Sequence, residues 1–166
     1  NLETNFVAAN TLIGIDRPKQ LSLRNPDIEK KEQELHRVRQ AHFSAKTPKT
    51  KAKCREKDEK LRAEIAELLK HEGWGDKTAK MLANWNPYDQ NASSGFFDPG
   101  WMFCNEEGFD IVMGNPPYHQ LSKDSSASEQ YKSYLKHRFG TSGGRLNTFI
   151  FFTHLGVELL RAKGVI

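Results

Sequence analysis

Hydrophobic residues recur at helical spacing in two stretches of the chain between residues 27 and 84. The stripes consist of Ile28, Leu35, Val38 and His42, and of Leu61, Ile65, Leu68 and Leu69. A spacing of three and four residues places such side chains on one face of a helix, so each stretch predicts a helix. Asp27, directly after Pro26, is predicted to be the N-cap of the first helix, and Gly73 predicts the end of the second. The short break between the two helices predicts an antiparallel helical hairpin that projects from the rest of the chain.

Shorter apolar runs outside this segment predict strands and further helices. Phe6, within "NFVAANTLIGI", belongs to a predicted short buried strand, and "GFDIVMG" predicts a second strand that ends at Gly114. A short helix is predicted near "SEQYKSYLKHRF". The apolar run "LNTFIFFTHLGVELLRAK" predicts a longer helix with Arg161 and Lys163 in its last turn, and "GVI" then predicts another strand.

The order of these elements is strand, helical segment, strand, helix, strand, which is an α/β pattern. It predicts a core formed by residues 1–26 and 85–166, with residues 27–84 inserted as the helical hairpin. Residues 84–104 are rich in aromatic side chains and turn signals, and we expect them to pack as an irregular loop on that core.

Composition excludes several classes of protein. The 166 residues are 37% hydrophobic and 28% charged, which suits one domain with a modest core. No apolar run approaches the roughly 20 residues of a membrane span, and no signal peptide opens the sequence. Cys54 and Cys104 lack metal-ligand spacing, so no metal site is expected, and free thiols indicate a reducing cytoplasm. The sequence begins without Met and stops where a strand is expected to start, which predicts a fragment of a longer polypeptide.

The net charge of +4 is concentrated in one segment. Residues 27–80 contain 15 Lys or Arg against 11 Asp or Glu, and residues 46–62 contain eight against three. Such a surplus is typical of a solvated arm or partner surface, and also of a surface that contacts nucleic acid. The sequence leaves both interpretations open.

The most informative motif is Asn115-Pro116-Pro117-Tyr118, directly after the second predicted strand. Two prolines stiffen the loop and remove two backbone donors, while carbonyl groups and the Asn115 side chain remain as acceptors. Tyr118 adds a flat aromatic face. Loops at the carboxyl ends of parallel strands hold the ligands of open α/β sheets. The arrangement therefore predicts a site that stacks a planar ring and accepts the two hydrogens of its exocyclic amine, which helps the nitrogen attack an electrophilic methyl group.

These residues resemble a known family. "FDIVMGNPPY" resembles motif IV of the N6-adenine DNA methyltransferases, and "NFVAANTLIG" resembles the strand of their motif III. The passages "FFDPGWMFCNEEGFDIVMGNPPY" and "RLNTFIFFTHLGVELLRAKGVI" resemble the methyltransferase part of Eco57I-like fused restriction-modification enzymes of type IIG or IIS. The resemblance implies a partial Rossmann-like fold, S-adenosylmethionine as the cofactor, and double-stranded DNA with a flipped adenine as the substrate. It also implies a prokaryotic cytoplasmic enzyme.

The resemblance further implies roles for individual residues. Asn115, Pro116 and Tyr118 are expected to bind and activate the target adenine, whereas Asn10 and Pro117 are expected to contact the cofactor. His119 departs from the small or apolar residue that is usual after the tyrosine, and we expect it to be a loop residue. The Gly-rich loop that holds the methionine end of the cofactor has no counterpart in these residues. We therefore expect this chain alone to lack methylation activity.

Two alternatives remain at the level of sequence. Similar loops serve enzymes that methylate an RNA guanine amine or a protein glutamine amide, because these substrates also present a planar NH2 group. The chain could also be a non-catalytic nucleic-acid-binding module built on its basic segment.

Overall fold

The computed structural model describes residues 3–18, 25–89, 91–118, 120–121, 128–140 and 146–166. Within these ranges the elements are a 3-10 helix (Glu3–Asn5), α1 (Pro26–Ser44), α2 (Pro48–His71), α3 (Asp76–Asn84), α4 (Pro99–Phe103), β1 (Phe109–Ile111), α5 (Glu129–Arg138), α6 (Thr148–Glu158) and β2 (Leu160–Val165). The fold is thus rich in helices, with a small parallel sheet of two strands. The chain divides into two compact units, Asn1–Cys104 and Asn105–Ile166.

Local signals explain where α1 and α2 begin and end. The Asn25 side chain accepts a hydrogen bond from the Asp27 N–H at 2.9 Å, and Thr47 caps α2 in the same way. A proline follows each cap and has the backbone angle that the first helical turn requires. Gly73 follows α2 with φ of +85°, a conformation that favours glycine at a helix end. The predicted start of α1 and the predicted end of α2 are therefore confirmed to within two residues. The prediction of Asp27 as the N-cap of α1 was wrong, because Asn25 is the cap and Asp27 lies inside the first turn.

Helices α1 and α2 pack against each other in opposite directions. Lys31 near the start of α1 pairs with Glu64 near the end of α2 at 2.5 Å, while Arg39 further along α1 pairs with Asp58 at 2.9 Å. Their apolar stripes meet in the core of the first unit. That core contains Ile28, Leu35, Val38, Leu61, Ile65, Leu69, Leu82, Trp85, Phe96, Trp101 and Met102. The stripes therefore pack with residues of the 85–104 segment, and the status of residues 27–84 as an insertion stays a prediction.

The aromatic segment after α3 does pack inward, as predicted. Trp85, Phe96 and Trp101 are buried in the first unit. The expectation of an irregular loop was wrong at one point, because residues Pro99–Phe103 form α4. The Asp98 side chain caps this helix by accepting from the Trp101 N–H at 2.8 Å, so Asp-Pro-Gly here starts a helix.

The predicted strand around Phe6 is reduced to a single bridge. Ala9 pairs with Ser94 in parallel orientation, with hydrogen bonds from the Ser94 N–H to Ala8 and from the Asn10 N–H to Ser94. Phe6 is exposed, so the expectation of a buried strand at this position was wrong. A strand needs a paired neighbour along its length, and within the described residues this segment finds one over a single position.

In the second unit, β1 and β2 pair in parallel. Phe109 is opposite Leu160 and Ile111 is opposite Val165, so β2 is irregular between these pairs. The predicted helix through Lys163 was wrong in its last part, because α6 ends at Glu158 and the following residues form β2. The cause is tertiary pairing with β1. The Phe109 N–H donates to Leu159 and the Val112 N–H donates to Val165, at 2.8 and 2.9 Å.

The predicted short helix before Gly140 is confirmed as α5. The Ser128 hydroxyl accepts from the Tyr131 N–H at 3.1 Å and caps this helix. Leu135 is fully buried, and the Phe139 ring after α5 packs against Phe151 of α6 at 5.4 Å. His119 and most of the glycine-rich stretch 140–144 lie outside the described residues. None of the helices in the described ranges combines the length and the apolar composition that a membrane span requires.

Candidate functional site

The loop Asn115–Tyr118 leaves the small sheet directly after β1. Val112 makes the last hydrogen bond to β2, and three residues later the loop begins. Its peptide bonds are trans, since the described residues contain no cis peptide. Asn115, Pro117 and Tyr118 are exposed and Pro116 is half-buried. The four motif residues therefore lie on an exposed loop that follows a parallel strand.

The first residues of α6 contact this loop and fix its position. The Thr148 hydroxyl donates to the Pro117 carbonyl oxygen at 2.5 Å, and Thr148 is itself buried. The Asn147 side chain caps α6 by accepting from the Phe149 N–H at 3.1 Å. Just after the loop, Gln120 forms an antiparallel bridge with Asn147. Both ends of the loop are thus tied to regular structure, which limits the movement of the residues between them.

The Tyr118 ring stacks on the Phe149 ring. The ring centroids are 5.5 Å apart and the planes differ by 11°. Tyr118 nevertheless remains 74% exposed, so most of its surface is accessible to a ligand. Phe149 supports the tyrosine on one side, and a second planar group could stack on what remains open.

The acceptors of the loop differ in how they are used. The Pro117 carbonyl is bound by Thr148, whereas in the described part of the chain the Asn115 side chain and the Pro116 carbonyl have no hydrogen-bond partner. These two groups are the acceptors predicted from the sequence to bind an amine. The geometry is compatible with that role, which stays a prediction.

Asn10 belongs to the first unit, whereas the four loop residues belong to the second. Its backbone N–H donates to Ser94 at 2.9 Å and its carbonyl accepts from the Ile13 N–H at 3.1 Å. These bonds fix the backbone beside the Ala9 bridge, while the side chain is exposed. Its predicted contact with a cofactor stays a prediction. Among the described residues, no group of three His, Cys, Asp or Glu side chains could hold a metal ion.

Thr148 and Phe149 were missed by sequence reasoning. Both support the loop, and both lie at the start of a helix that was predicted only as an apolar segment. A signal was present, because Asn147 before an apolar run is a typical N-cap residue and defines where the helix begins. It indicated the helix start, but not that this start contacts the loop.

A second polar cluster lies in the core of the first unit. Asp58 is fully buried and accepts hydrogen bonds from Arg39 at 2.9 Å and from Arg62 at 2.7 Å. Tyr88 also donates to Asp58, at 3.2 Å, and burial together with this carboxylate raises the pKa of the Tyr88 hydroxyl. Arg39 also donates a hydrogen bond to the Trp101 carbonyl oxygen at 2.6 Å. These contacts connect α1, α2 and the end of α4, which indicates a structural role.

Cys104 lies at the edge of this cluster. Arg39 approaches its sulfur at 3.8 Å. Burial raises the pKa of the Cys104 thiol, which outweighs the opposite effect of the arginine. A thiol with a raised pKa is a poor nucleophile at neutral pH, so Cys104 gives no support for nucleophilic catalysis.

Comparison with known proteins supplies the family. A family model described as Eco57I restriction-modification methylase matches residues 9–166. Neither a search of curated proteins nor one of solved structures gives a match. The family match spans β1, the loop after it and α6, together with nearly all of the first unit. The chain therefore belongs to the Eco57I restriction-modification methylase family.

Proposed function

We propose that this chain carries the substrate-binding loop of an enzyme that methylates the N6 amine of adenine in double-stranded DNA. One observation carries the proposal: the loop Asn115–Tyr118 offers two acceptors that have no partner among the described residues, beside an exposed aromatic ring, in a member of a DNA methylase family. The site residues would be Asn115, Pro116 and Tyr118 for the adenine.

The two acceptors suit the chemistry of an aromatic amine. The nitrogen lone pair of adenine is delocalised into the ring, so the amine is a weak nucleophile. The Asn115 side-chain oxygen and the Pro116 carbonyl would accept its two hydrogens and favour a tetrahedral nitrogen with a localised lone pair. Positive charge would develop on the nitrogen as it takes the methyl group, while the bond from the methyl carbon to the sulfur of the donor breaks and leaves a neutral thioether. Both acceptors would stabilise the charge on the nitrogen before a proton passes to solvent. Thr148 supports this division of roles, because it occupies the Pro117 carbonyl and leaves the Pro116 carbonyl open.

Tyr118 would hold the ring of the base. A target base inside a duplex is not accessible to such a loop, so the adenine must leave the base stack before it can bind. Stacking on an aromatic side chain offsets part of the cost of flipping the base. The support from Phe149 keeps the tyrosine ring in one orientation before the base arrives, which reduces the ordering that binding requires.

S-adenosylmethionine, when bound, would supply the electrophilic methyl group. Asn10 and Pro117 are the residues proposed to contact it. Both are exposed, and the carbonyl of Pro117 is already satisfied by Thr148, which leaves an apolar ring that fits contact with another flat, apolar surface. Asn10 offers a side-chain amide, which can donate to and accept from the edge of a purine.

The proposed fold is a partial Rossmann-like methyltransferase domain with residues 27–84 inserted as a helical hairpin. The parallel pairing of β1 with β2 across an intervening α6 supports it, because parallel strands joined through a helix are the unit of such folds. The family match supports DNA over an RNA guanine or a protein glutamine as the substrate, since restriction-modification methylases act on DNA.

The test uses the protein as its gene encodes it, expressed in a host whose DNA lacks N6-methyladenine. Genomic DNA is hydrolysed to nucleosides and analysed by mass spectrometry. We expect N6-methyladenine to appear with the wild-type protein. Asn115→Ala should lower the methylation rate by roughly 100-fold, because one of the transition-state contacts is lost. Its affinity for duplex DNA, measured by fluorescence anisotropy, should stay unchanged.

Asn84→Ala is the matched control, because it removes an exposed asparagine side chain outside the loop. It should methylate at the wild-type rate. Modified cytosine in place of N6-methyladenine, modified guanine in RNA, or methylated glutamine would each overturn the assignment of the substrate. Full methylation by Asn115→Ala would overturn the proposed role of the loop.

A further inference from the structure

The turn between α1 and α2 and the first turns of α2 are strongly basic. Residues 46–55 contain five Lys or Arg and no Asp or Glu. Lys46, Lys49 and Lys53 are exposed, and among the residues that the structure describes they have no acidic partner. Lys49 and Lys53 are four residues apart on one side of α2, and Lys46 precedes the helix. We call these three residues the basic turn.

A groove between the two helices adjoins the basic turn at Lys53. Lys30 and Arg37 of α1 and Lys53 of α2 line this groove, whose volume is about 700 Å³. Val38 and Ala41 provide apolar lining, along which the aliphatic stems of long basic side chains can lie. Cations from both helices therefore face one shared surface.

Two acids of α1 and α2 pair with lysines that do not belong to the basic turn. Glu34, which lines the same groove, pairs with Lys57 at 2.6 Å. The hydrogen bond and charge of Lys57 lower the pKa of the Glu34 carboxyl, so the glutamate is ionised and compensated at neutral pH. Glu64, in the second half of α2, pairs with Lys31 of α1. In the part of the chain that the structure describes, neither glutamate is therefore an ion-pair partner of the basic turn.

The fold does not gain stability from this arrangement. The first turn of α2 contains no acidic residue, and the positive end of the helix dipole disfavours Lys49 at this position. Lys49 and Lys53 also repel each other, because like charges four residues apart on a helix are destabilising. Neither lysine is needed for the core, which the opposite stripe of α2 provides. A polyanionic partner would relieve all of these unfavourable interactions.

We propose that the basic turn, together with Lys30 and Arg37, binds the phosphate backbone of duplex DNA independently of base sequence. The inference rests on the proposed function in taking DNA as the polyanion. Flexible lysines on an open groove suit phosphate contacts, which position a protein on DNA, while base contacts provide specificity. Residues 27–84 would then add affinity for DNA outside the site that binds the adenine.

The test compares three proteins, each as its gene encodes it, by anisotropy with a labelled duplex over a range of salt concentrations. One is the wild type, one is Lys46→Gln/Lys49→Gln/Lys53→Gln, and one is the control Lys77→Gln/Lys80→Gln/Lys136→Gln. The control removes the same charge from exposed lysines elsewhere. Loss of three phosphate contacts should make the slope of log affinity against log salt shallower by about 2 to 3 in the basic-turn variant only.

Equal slopes for all three proteins, or equal loss in both variants, would overturn the proposal, because the effect would then be absent or due to net charge alone. Tighter binding of single-stranded RNA or anionic lipid vesicles than of duplex DNA would also overturn it. The outcome is separable from that of the proposed function. Asn115→Ala should keep the wild-type salt slope, and a slope change in the basic-turn variant stands even if the methylated base is not adenine.

Discussion

The Tyr118 ring lies on the Phe149 ring with centroids 5.5 Å apart and planes within 11° of parallel. The two residues are separated by 31 positions and come from the loop after β1 and the first turn of α6. Thr148, beside Phe149, holds the carbonyl of Pro117, beside Tyr118. Two consecutive residues at a helix start thus support two consecutive residues of the loop, which gives an otherwise exposed motif a defined shape.

Substitutions at Tyr118 should distinguish the contribution of the aromatic ring to methylation from that of the hydroxyl. Tyr118→Phe keeps the stacking surface and should retain most methylation activity. Tyr118→Ala removes it and should cost about 1–3 kcal/mol of base stacking, or about 5- to 150-fold in kcat/KM. Phe149→Leu keeps an apolar contact but loses the aromatic pair, so we expect a smaller loss of about 2- to 12-fold. Steady-state methylation of a duplex checks all three, and equal activity of Tyr118→Ala and the wild type would contradict the role of the ring.

Thr148 should act on methylation through the position of the loop. Thr148→Val keeps the shape of the side chain but removes the hydrogen bond to Pro117, worth about 0.5–1.5 kcal/mol. We expect the methylation rate to fall by about 2- to 12-fold while affinity for duplex DNA stays the same. Thr148→Ser restores the hydroxyl and should recover the rate. A rate for Thr148→Ser as low as that for Thr148→Val would show that the hydroxyl is not what matters.

Helical spacing was sufficient to predict α1 and α2 because their buried faces are formed by regular stripes with caps at the ends. In α1, Ile28, Leu35 and Val38 recur at that spacing and are all buried. The start of β2 could not be predicted in this way. Arg161 and Lys163 are polar and follow an apolar helix without a break, and only pairing with β1 ends the helix at Glu158. Such long-range pairing leaves no local signal in the sequence.

The loop motif was recognisable because its residue types are rare in combination, but its supports were not. Nothing in the local sequence around Thr148 indicates a hydrogen bond to Pro117 across 31 positions. The same holds for Asp58, which a helical pattern in a charged segment places as a surface residue. It is fully buried because Arg39 and Arg62 reach it from two directions.

Removal of the Asp58 carboxylate should strongly destabilise the first unit. Asp58→Ala leaves Arg39 and Arg62 buried without their counter-charge, and losing one partner of a buried ion pair costs about 3–5 kcal/mol. That is a large part of the usual stability of a domain. Urea denaturation, followed by tryptophan fluorescence, measures the free energy of unfolding. Glu34→Gln breaks an exposed ion pair instead and should change the urea midpoint little. Similar midpoints for both variants would contradict the structural role of the cluster.

Alkaline pH should weaken the same unit through Tyr88. Burial and the Asp58 carboxylate raise the pKa of Tyr88, so the folded protein keeps this proton where the unfolded chain, with a pKa near 10, releases it. The native state then binds more protons than the unfolded state, and stability falls as pH rises above about 10, with the full contribution present below it. Tyr88→Phe should be less stable at neutral pH, because it loses the hydrogen bond to Asp58, but its stability should fall less between about pH 9 and pH 11. An equal fall in both proteins over that interval would contradict this assignment.

Gly108 should be essential for the pairing of β1 with β2. Its φ is +90°, and a Cβ atom at this position would lie 2.7 Å from the Arg161 backbone nitrogen and 2.8 Å from the Leu160 carbonyl carbon. Both contacts are with backbone, which cannot move aside without breaking the hydrogen bonds of the sheet. Left-handed backbone alone costs a residue with a Cβ about 1–2 kcal/mol. We therefore expect Gly108→Ala to speed amide hydrogen exchange at Phe109 and Val112 and to lower methylation, since the loop Asn115–Tyr118 begins where this sheet ends. Gly95→Ala is the matched control, because a Cβ atom at Gly95 would have no neighbour within 4 Å. This variant should leave both the hydrogen exchange and the methylation rate unchanged. Wild-type protection at Phe109 in Gly108→Ala would mean that β1 and β2 tolerate the added carbon, and that the position of the loop does not depend on this close approach.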